Sequence, residues 1–238
     1  MANLNAPLGN RKIYRLETSV LEFLHNFRKE KQFSRTVEVY HLNKKEDNEY
    51  YKLLCTEFLF KDEENADVIL LKKLSYLWDE VEVLVNIENR IVAIVNLSEI
   101  KLRWIEISDS LSTAYKGLAI ESYFLTINEL LEVEEKVCDF LNSPKMYGML
   151  FNGLSLQHFP SERRERKITE HGIEVLETTS QVNDGKKGEI RITAIQTEIT
   201  DILGYNRIYH YDNTLLIEGY VAIKKKEKEM RHSLLWIG

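Results

Sequence analysis

Four cations fall within five residues at Arg163, Arg164, Arg166 and Lys167, inside the stretch HFPSERRERKITEHG. Guanidinium and ammonium groups at that density bind anions: phosphates, carboxylates, or the acidic surface of a partner protein. The neighbouring residues weaken the nucleic-acid reading. Between Ser161 and Glu177 these four cations meet five acids, Glu162, Glu165, Glu170, Glu174 and Glu177, for a net charge of −1. Nucleic-acid affinity grows with the number of phosphates neutralised, and little is left here for that. A second cluster, Lys224, Lys225, Lys226, Lys228 and Arg231 against Glu227 and Glu229, carries +3. Residues 163–167 also carry +3, so the rest of a chain whose total is −6 stands at −12. The charge is segregated.

A third feature lies in YNRIYHY. On a strand, alternation puts Tyr205, Arg207, Tyr209 and Tyr211 on one face and Asn206, Ile208 and His210 on the other. Tyrosine and arginine anchor interfaces because each buries area while keeping a polar handle, and they also stack on bases. Cross-strand packing explains the same stripe without a ligand, since tyrosine favours strands and lysine at strand ends discourages edge-to-edge association.

Catalytic signatures are sparse. Neither G-x-x-x-x-G-K-[ST] nor G-x-G-x-x-G occurs, so the common phosphate cradles are missing. The histidines, at positions 25, 41, 158, 171, 210 and 232, form no H-x-x-x-H or H-E-x-x-H pair, and two cysteines cannot build a zinc site alone. NGLSLQH brings Ser155 near His158, but a nucleophile elbow needs glycine where Gln157 stands. In NELLEVEEK, Glu132 and Glu135 share a helical face at a spacing used by carboxylate-bridged metals, without the histidine such sites add. No cofactor and no metal are expected.

Composition bounds the class. Hydrophobic residues at 44% and charged residues at 29% over 238 residues suit a folded chain with a sizeable core. Cys55 and Cys138 lie in apolar surroundings and read as buried thiols of a reducing compartment. The N-terminus lacks the basic and apolar regions of a secretory signal. No apolar run reaches the roughly 18 residues a membrane helix needs. A cytoplasmic protein without membrane insertion is expected, with signal-independent export left open.

These features must sit on elements. Residues 1–12 read as a flexible leader. Ile13, Leu16, Val20, Phe23, Leu24 and Phe27 recur at helical spacing, which predicts a helix from Ile13 to Lys31. RTVEVYHL and YYKLLCTEFLFK predict a hairpin, and KDEENADVILLKKLSYLW predicts a helix with Val68, Leu71, Leu74 and Trp78 on its inner face. EVEVLVNIENRIVAIV is the plainest hairpin, turning at Glu88-Asn89. A helix striped by Ile100, Trp104, Ile107 and Leu111 follows, then, past Gly117, one long helix to Leu141 and a short one opened by Ser143-Pro144. Four strands come next, over about 168–181, 189–199, 205–211 and 215–223, with a possible fifth in RHSLLWI.

The resulting fold class is α+β: antiparallel hairpins flanking a central helical segment, with a C-terminal β-meander of four to five strands. It reads as one domain over 13–238, with a subdivision at 13–160 and 161–238. In a four-stranded meander the first strand starts, and the fourth ends, at the same end of the sheet. That places Lys167 and Lys224 on one basic rim. The reading is therefore a non-catalytic interaction protein (adaptor, chaperone, immunity-type binder or assembly subunit). It docks an acidic protein surface through the rim and the Tyr/Arg strand face. The alternatives are a hydrolase with a dispersed site and a weak RNA or single-stranded DNA binder. Self-association is left open.

Overall fold

A computed structural model describes residues 11–24, 27–61, 66–151, 164–170, 173–182, 187–194, 202–213 and 215–238. In it Tyr14, Leu16 and Thr18 are buried while Arg15 between them is exposed, the period of a strand rather than a helix. The segment Arg11–Leu24 is indeed a strand, β1, and the predicted helix over 13–31 is overturned. Its apolar residues fit helical spacing by count, but the backbone pairs with a strand more than two hundred residues away, from Tyr14↔Trp236 to Glu22↔Lys228. Such a partner overrides local periodicity.

Ten more strands follow: β2 (Phe27–Lys45), β3 (Asn48–Phe60), β4 (Glu80–Val85), β5 (Ile91–Ile94), β6 (Arg164–Glu170), β7 (Ile173–Val182), β8 (Lys187–Ala194), β9 (Ile202–Asp212), β10 (Leu215–Lys225) and β11 (Lys228–Trp236). They form a large antiparallel sheet with the hydrogen-bonded order β5-β4-β3-β2-β1-β11-β10-β9-β8-β7-β6. Among the described residues five helices accompany it: α1 (Ala66–Ser75), α2 (Leu97–Ala114), α3 (Leu118–Glu132), α4 (Glu134–Leu141) and α5 (Gly148–Phe151). The architecture is mainly sheet, with the helices concentrated between β5 and β6.

The chain divides into two compact units, and they are not contiguous in sequence. One comprises the chain through Ile13 with Arg35–Gly148, the other Tyr14–Ser34 with Met149–Gly238. Most of β1 and the first eight residues of β2 thus group with the C-terminal meander, while the rest of β2 belongs to the first unit.

In the first unit the β4–β5 hairpin forms where alternation places it. Val81, Val83 and Val85 are buried, and the turn is closed by Asn86, whose Oδ1 accepts from the N–H groups of Glu88 and Arg90 at 3.0 Å each. Asn89 takes φ +61°, a conformation asparagine tolerates. A register shift at Leu84/Val85 makes Ile91 and Ile94 the buried pair of β5, not the alternating set Ile91, Ala93, Val95. On α2, Ile100, Trp104 and Leu111 are buried, and Trp104 Nε1 donates to Asn128 Oδ1 of α3 at 2.6 Å. The expected long helix breaks at extended Val133 into α3 and α4. On α1, Leu74 is buried but Leu71 is 41% exposed, and Leu77 and Trp78 of the following 3-10 turn carry the rest of the contact.

The edge strand β5 is managed by side chains of the helical layer. Asn142 accepts from Ile91 N–H at 2.9 Å and donates to Ile91 C=O at 2.8 Å, and Glu134 accepts from Ile94 N–H at 2.8 Å. These bonds occupy ladder positions that would otherwise invite a foreign strand. Gly148 follows from the same tight turn: a Cβ there would lie 1.8 Å from the Asn142 carbonyl oxygen.

In the second unit, β6 to β11 form a meander of six strands, one or two more than the sequence suggests. Residues read as a single strand over 168–181 are two, β6 and β7, paired from Arg164↔Thr179 to Glu170↔Ile173. The covered face of this unit carries Tyr14, Leu16, Tyr205, Tyr209, Tyr211, Leu216, Val221, Ile223 and Leu234. It also buries one polar pair, Thr18 Oγ1 and His232 Nδ1, at 3.0 Å. Met149 of α5 reaches over Gly219, where a Cβ would stand 3.2 Å from its Cε and 2.7 Å from the Tyr209 ring.

Replacing Asn142 by alanine leaves the N–H and C=O of Ile91 without their partner. We expect a loss of about 1–3 kcal/mol in unfolding free energy, read as a lower urea midpoint at unchanged slope. An unaltered midpoint would show that the edge bonds contribute nothing.

Candidate functional site

The extra strand decides where the predicted basic residues lie. Arg164, Arg166 and Lys167 are on β6, the outermost strand, and Arg163 falls outside the described residues. Following the register, Arg164 is level with Thr179, Ile190, Tyr209 and Gly219. Lys224 is five residues further along β10, about 17 Å at strand rise, and β10 is four strands away, about 19 Å at strand spacing. With five strands from β6 to β10 instead of four, β6 runs parallel to β10, so Arg164 starts level with the middle of β10 and Lys167 is level with Ala222, two residues short of Lys224. The two clusters thus lie on strands four apart, about 19 Å across the sheet, and not on neighbouring strand ends.

The tyrosine stripe is on the covered face. Tyr205, Tyr209 and Tyr211 are 5%, 0% and 2% exposed, which is the cross-strand packing arrangement. Arg207 is half-buried, its guanidinium 4.9 Å from the Tyr209 ring centroid and its Nε donating to the Tyr209 hydroxyl. Burial pushes the Tyr211 phenol well above its ordinary range.

The second cluster acquires a different companion. Lys224, Lys225, Lys226 and Lys228 surround the turn between β10 and β11, and Glu22 of β1 is the register partner of Lys228. Phe23 N–H donates to Glu227 C=O at 2.9 Å, so the end of β1 is bonded to that turn. Beside β1 runs the start of β2, with Ser19 Oγ donating to Glu30 at 3.1 Å and Lys31 facing Glu22 at 3.5 Å. The first six residues of β2, FRKEKQ, are all exposed. Alternation would leave one face covered, so this stretch is packed on neither face. Two hairpin ends therefore adjoin, presenting Arg28, Lys29 and Lys31 from one and Lys224, Lys225, Lys226 and Lys228 from the other. Phe27 at 78%, Phe23 at 41% and Leu203 at 58% exposure stand among them, Leu203 preceding the Gly204↔Lys224 pair. Sequence reasoning missed the first hairpin end because it assigned 13–31 to a helix. The polar run RKEK was the signal.

On the open face of the second unit a row crosses the strands: Glu189, His210, Glu218, Leu235 and Arg15. His210 Nδ1 meets Glu218 at 2.6 Å and Nε2 meets Glu189 at 3.2 Å. The row borders a surface groove of about 500 Å³ lined also by Ile208, Tyr220 and Ser233. Both ring nitrogens face carboxylates, unlike a hydrolytic triad, in which one nitrogen faces the hydroxyl nucleophile. His158 and Ser155 lie outside the described residues. Cys55 and Cys138 are free, buried thiols. Burial pushes them to about 12 and about 11, which removes the thiolate a nucleophile needs. Among the described residues no cluster of histidine, cysteine and acidic side chains is placed to hold a metal, and no helix is long and apolar enough to cross a membrane.

No protein-family profile matches the chain, and no curated protein matches it in sequence. Its fold is similar to part of lipovitellin, in a structure described as "lipid-protein interactions in lipovitellin". The TM-score is 0.54 at 10% identity, over 97% of this chain and 25% of that one. The chain thus spans about a quarter of that protein's length, and the likeness is one of fold. A DUF1329 family protein from Desulfovibrio piger ATCC 29098 matches at a TM-score of 0.26 and 8% identity, over 96% of this chain and 85% of the other, too distant to carry an argument.

If the tyrosine stripe is core, Tyr209→Ala should cost about 3–5 kcal/mol of folding stability, as truncation of a buried aromatic does. Chemical denaturation checks this. A change within about 0.5 kcal/mol, the range of surface substitutions, would return Tyr209 to an exposed docking face.

Proposed function

We propose that this chain is a non-catalytic docking protein that binds an anionic partner through the adjoining ends of the β1–β2 and β10–β11 hairpins. The observation that carries the reading is the pairing of Glu22 with Lys228, which sets two cationic segments side by side. Residues 22–31 carry +1 and residues 224–231 carry +3, while the rest of the chain carries −10. A field of that asymmetry turns the molecule so that the hairpin ends meet an acidic surface first. The charge pattern suits a partner with an anionic surface, and an acidic protein in an assembly or adaptor role is one such partner. The Tyr/Arg face is no longer part of the binding surface, since its tyrosines are buried. The groove on the open sheet face lends little to a hydrolase, because His210 is held between two carboxylates.

The test compares retention on immobilised poly-glutamate. Reversing Lys224, Lys225, Lys226 and Lys228 to glutamate should lower the salt concentration needed for elution steeply, because exposed charges act only within a screening length of about 10 Å at 0.1 M salt. Reversing Arg164, Arg166 and Lys167 should lower it less. Failure of the wild-type chain to be retained, or equal loss from both variants, would overturn the assignment.

A further inference from the structure

We infer that the anionic partner is the headgroup layer of a phospholipid bilayer, on which the protein rests by its two hairpin ends without spanning it. The inference rests on the docking reading above and deepens it. Its starting point is the apolar content of a cationic patch. Phe27 is 78% exposed, Phe23 is 41% exposed and Leu203 is 58% exposed, in a setting that otherwise offers Arg28, Lys29, Lys31, Lys224, Lys225, Lys226 and Lys228. A single exposed apolar side chain is ordinary, but three interspersed with seven cations at adjoining strand ends form an amphipathic cluster.

The size of the patch favours a bilayer over a protein. A stable protein interface takes roughly 20–30 residues from each side, shaped to fit. Here ten side chains are presented, seven of them long and flexible. A headgroup layer requires no fitted shape. Lysine and arginine stems lie along its apolar depth while their charges stay among the phosphates, and aromatic rings settle at the same level. Four to eight clustered cations are the number that recognises anionic lipid, each contributing about fivefold in affinity near the surface.

The surrounding structure supports the orientation. The six exposed residues that begin β2 pack on neither face, so Phe27 can reach a surface without the unit unfolding. Phe23 is tied to the β10–β11 turn through its N–H to Glu227 C=O, which holds the two cationic ends at one level. The remainder of the chain, at −10, is repelled by the same surface and keeps the contact to the hairpin ends. Acids also stand in the patch, with Glu22 paired to Lys31, Glu229 to Arg231, Glu30 accepting from Ser19 and Glu227 between Lys226 and Lys228, so that residues 22–31 and 224–231 together carry +4.

The experiment is co-sedimentation of the full chain with sucrose-loaded vesicles, either phosphatidylcholine alone or phosphatidylcholine with roughly a third phosphatidylserine. The wild-type chain should sediment with the anionic vesicles and not with the neutral ones, and binding should fall as salt is raised. Phe27→Ala should weaken it roughly tenfold at fixed salt, the value of one aromatic side chain withdrawn from an apolar layer. Far-UV circular dichroism should be unchanged, because Phe27 is exposed. Reversing Lys224, Lys225, Lys226 and Lys228 should remove binding. Absence of binding to anionic vesicles at low salt overturns the inference, as does full binding by the Phe27→Ala, Phe23→Ala double variant. Retention on poly-glutamate together with no vesicle binding overturns the lipid assignment alone and leaves the docking reading standing, with an acidic protein as the partner.

Discussion

The pairing of β1 with β11 is the constraint on which the second unit depends. Nine residues of β1, from Tyr14 to Glu22, are opposed in order by nine of β11, from Trp236 to Lys228. The alternation of β1 serves the covered face only in this register: Leu16 meets Leu234 and Thr18 meets His232. A slip of one residue would turn Arg15 and Glu17 into the core. The same ladder carries Glu22 to Lys228, so the interaction that orders the core also sets the two cationic hairpin ends together.

From that ladder the two faces of the unit take their separate characters. On the covered side the rings of Tyr209 and Tyr211, the Thr18–His232 pair and the aliphatic residues of β10 exclude water, and Gly219 is held open because the Tyr209 ring occupies the space above it. On the open side polar groups bond across strands, as in Glu189–His210–Glu218, and Arg15 pairs with Glu17 along β1 at 2.9 Å. Such exposed pairs contribute little to stability individually. The positive charge in excess is concentrated at the hairpin ends, against −10 over the rest of the chain.

Much of the fold was legible where structure is local. The β4–β5 hairpin, β3 and the Ile100–Trp104–Leu111 stripe of α2 follow from alternation and helical spacing, because each buries one face within a few residues of itself. The strand β1 was not legible, since Leu16, Val20, Phe23 and Phe27 satisfy a helical count and the deciding partner lies at the other end of the chain. The site turned on a subtler matter. Splitting 168–181 into β6 and β7 changes the number of reversals by one, so β6 runs parallel to β10 and Arg164 starts level with Gly219 in mid-strand. The lysines at 224–228 stand out in the sequence as a cationic cluster, but their register neighbour on β1 does not, because that pairing joins the two ends of the chain. The tyrosine spacing was read correctly as one face, while which face is covered depends on the whole sheet, not on YNRIYHY.

The account stands or falls on the adjacency of the two hairpin ends. Spin labels at Glu22 and Lys228 measure it directly by electron paramagnetic resonance. Directly opposed residues on antiparallel strands have Cα atoms about 4.5–5.5 Å apart, so the account predicts strong dipolar broadening from labels within about 20 Å. A separation well beyond that range, as a helix over 13–31 would allow, would contradict it.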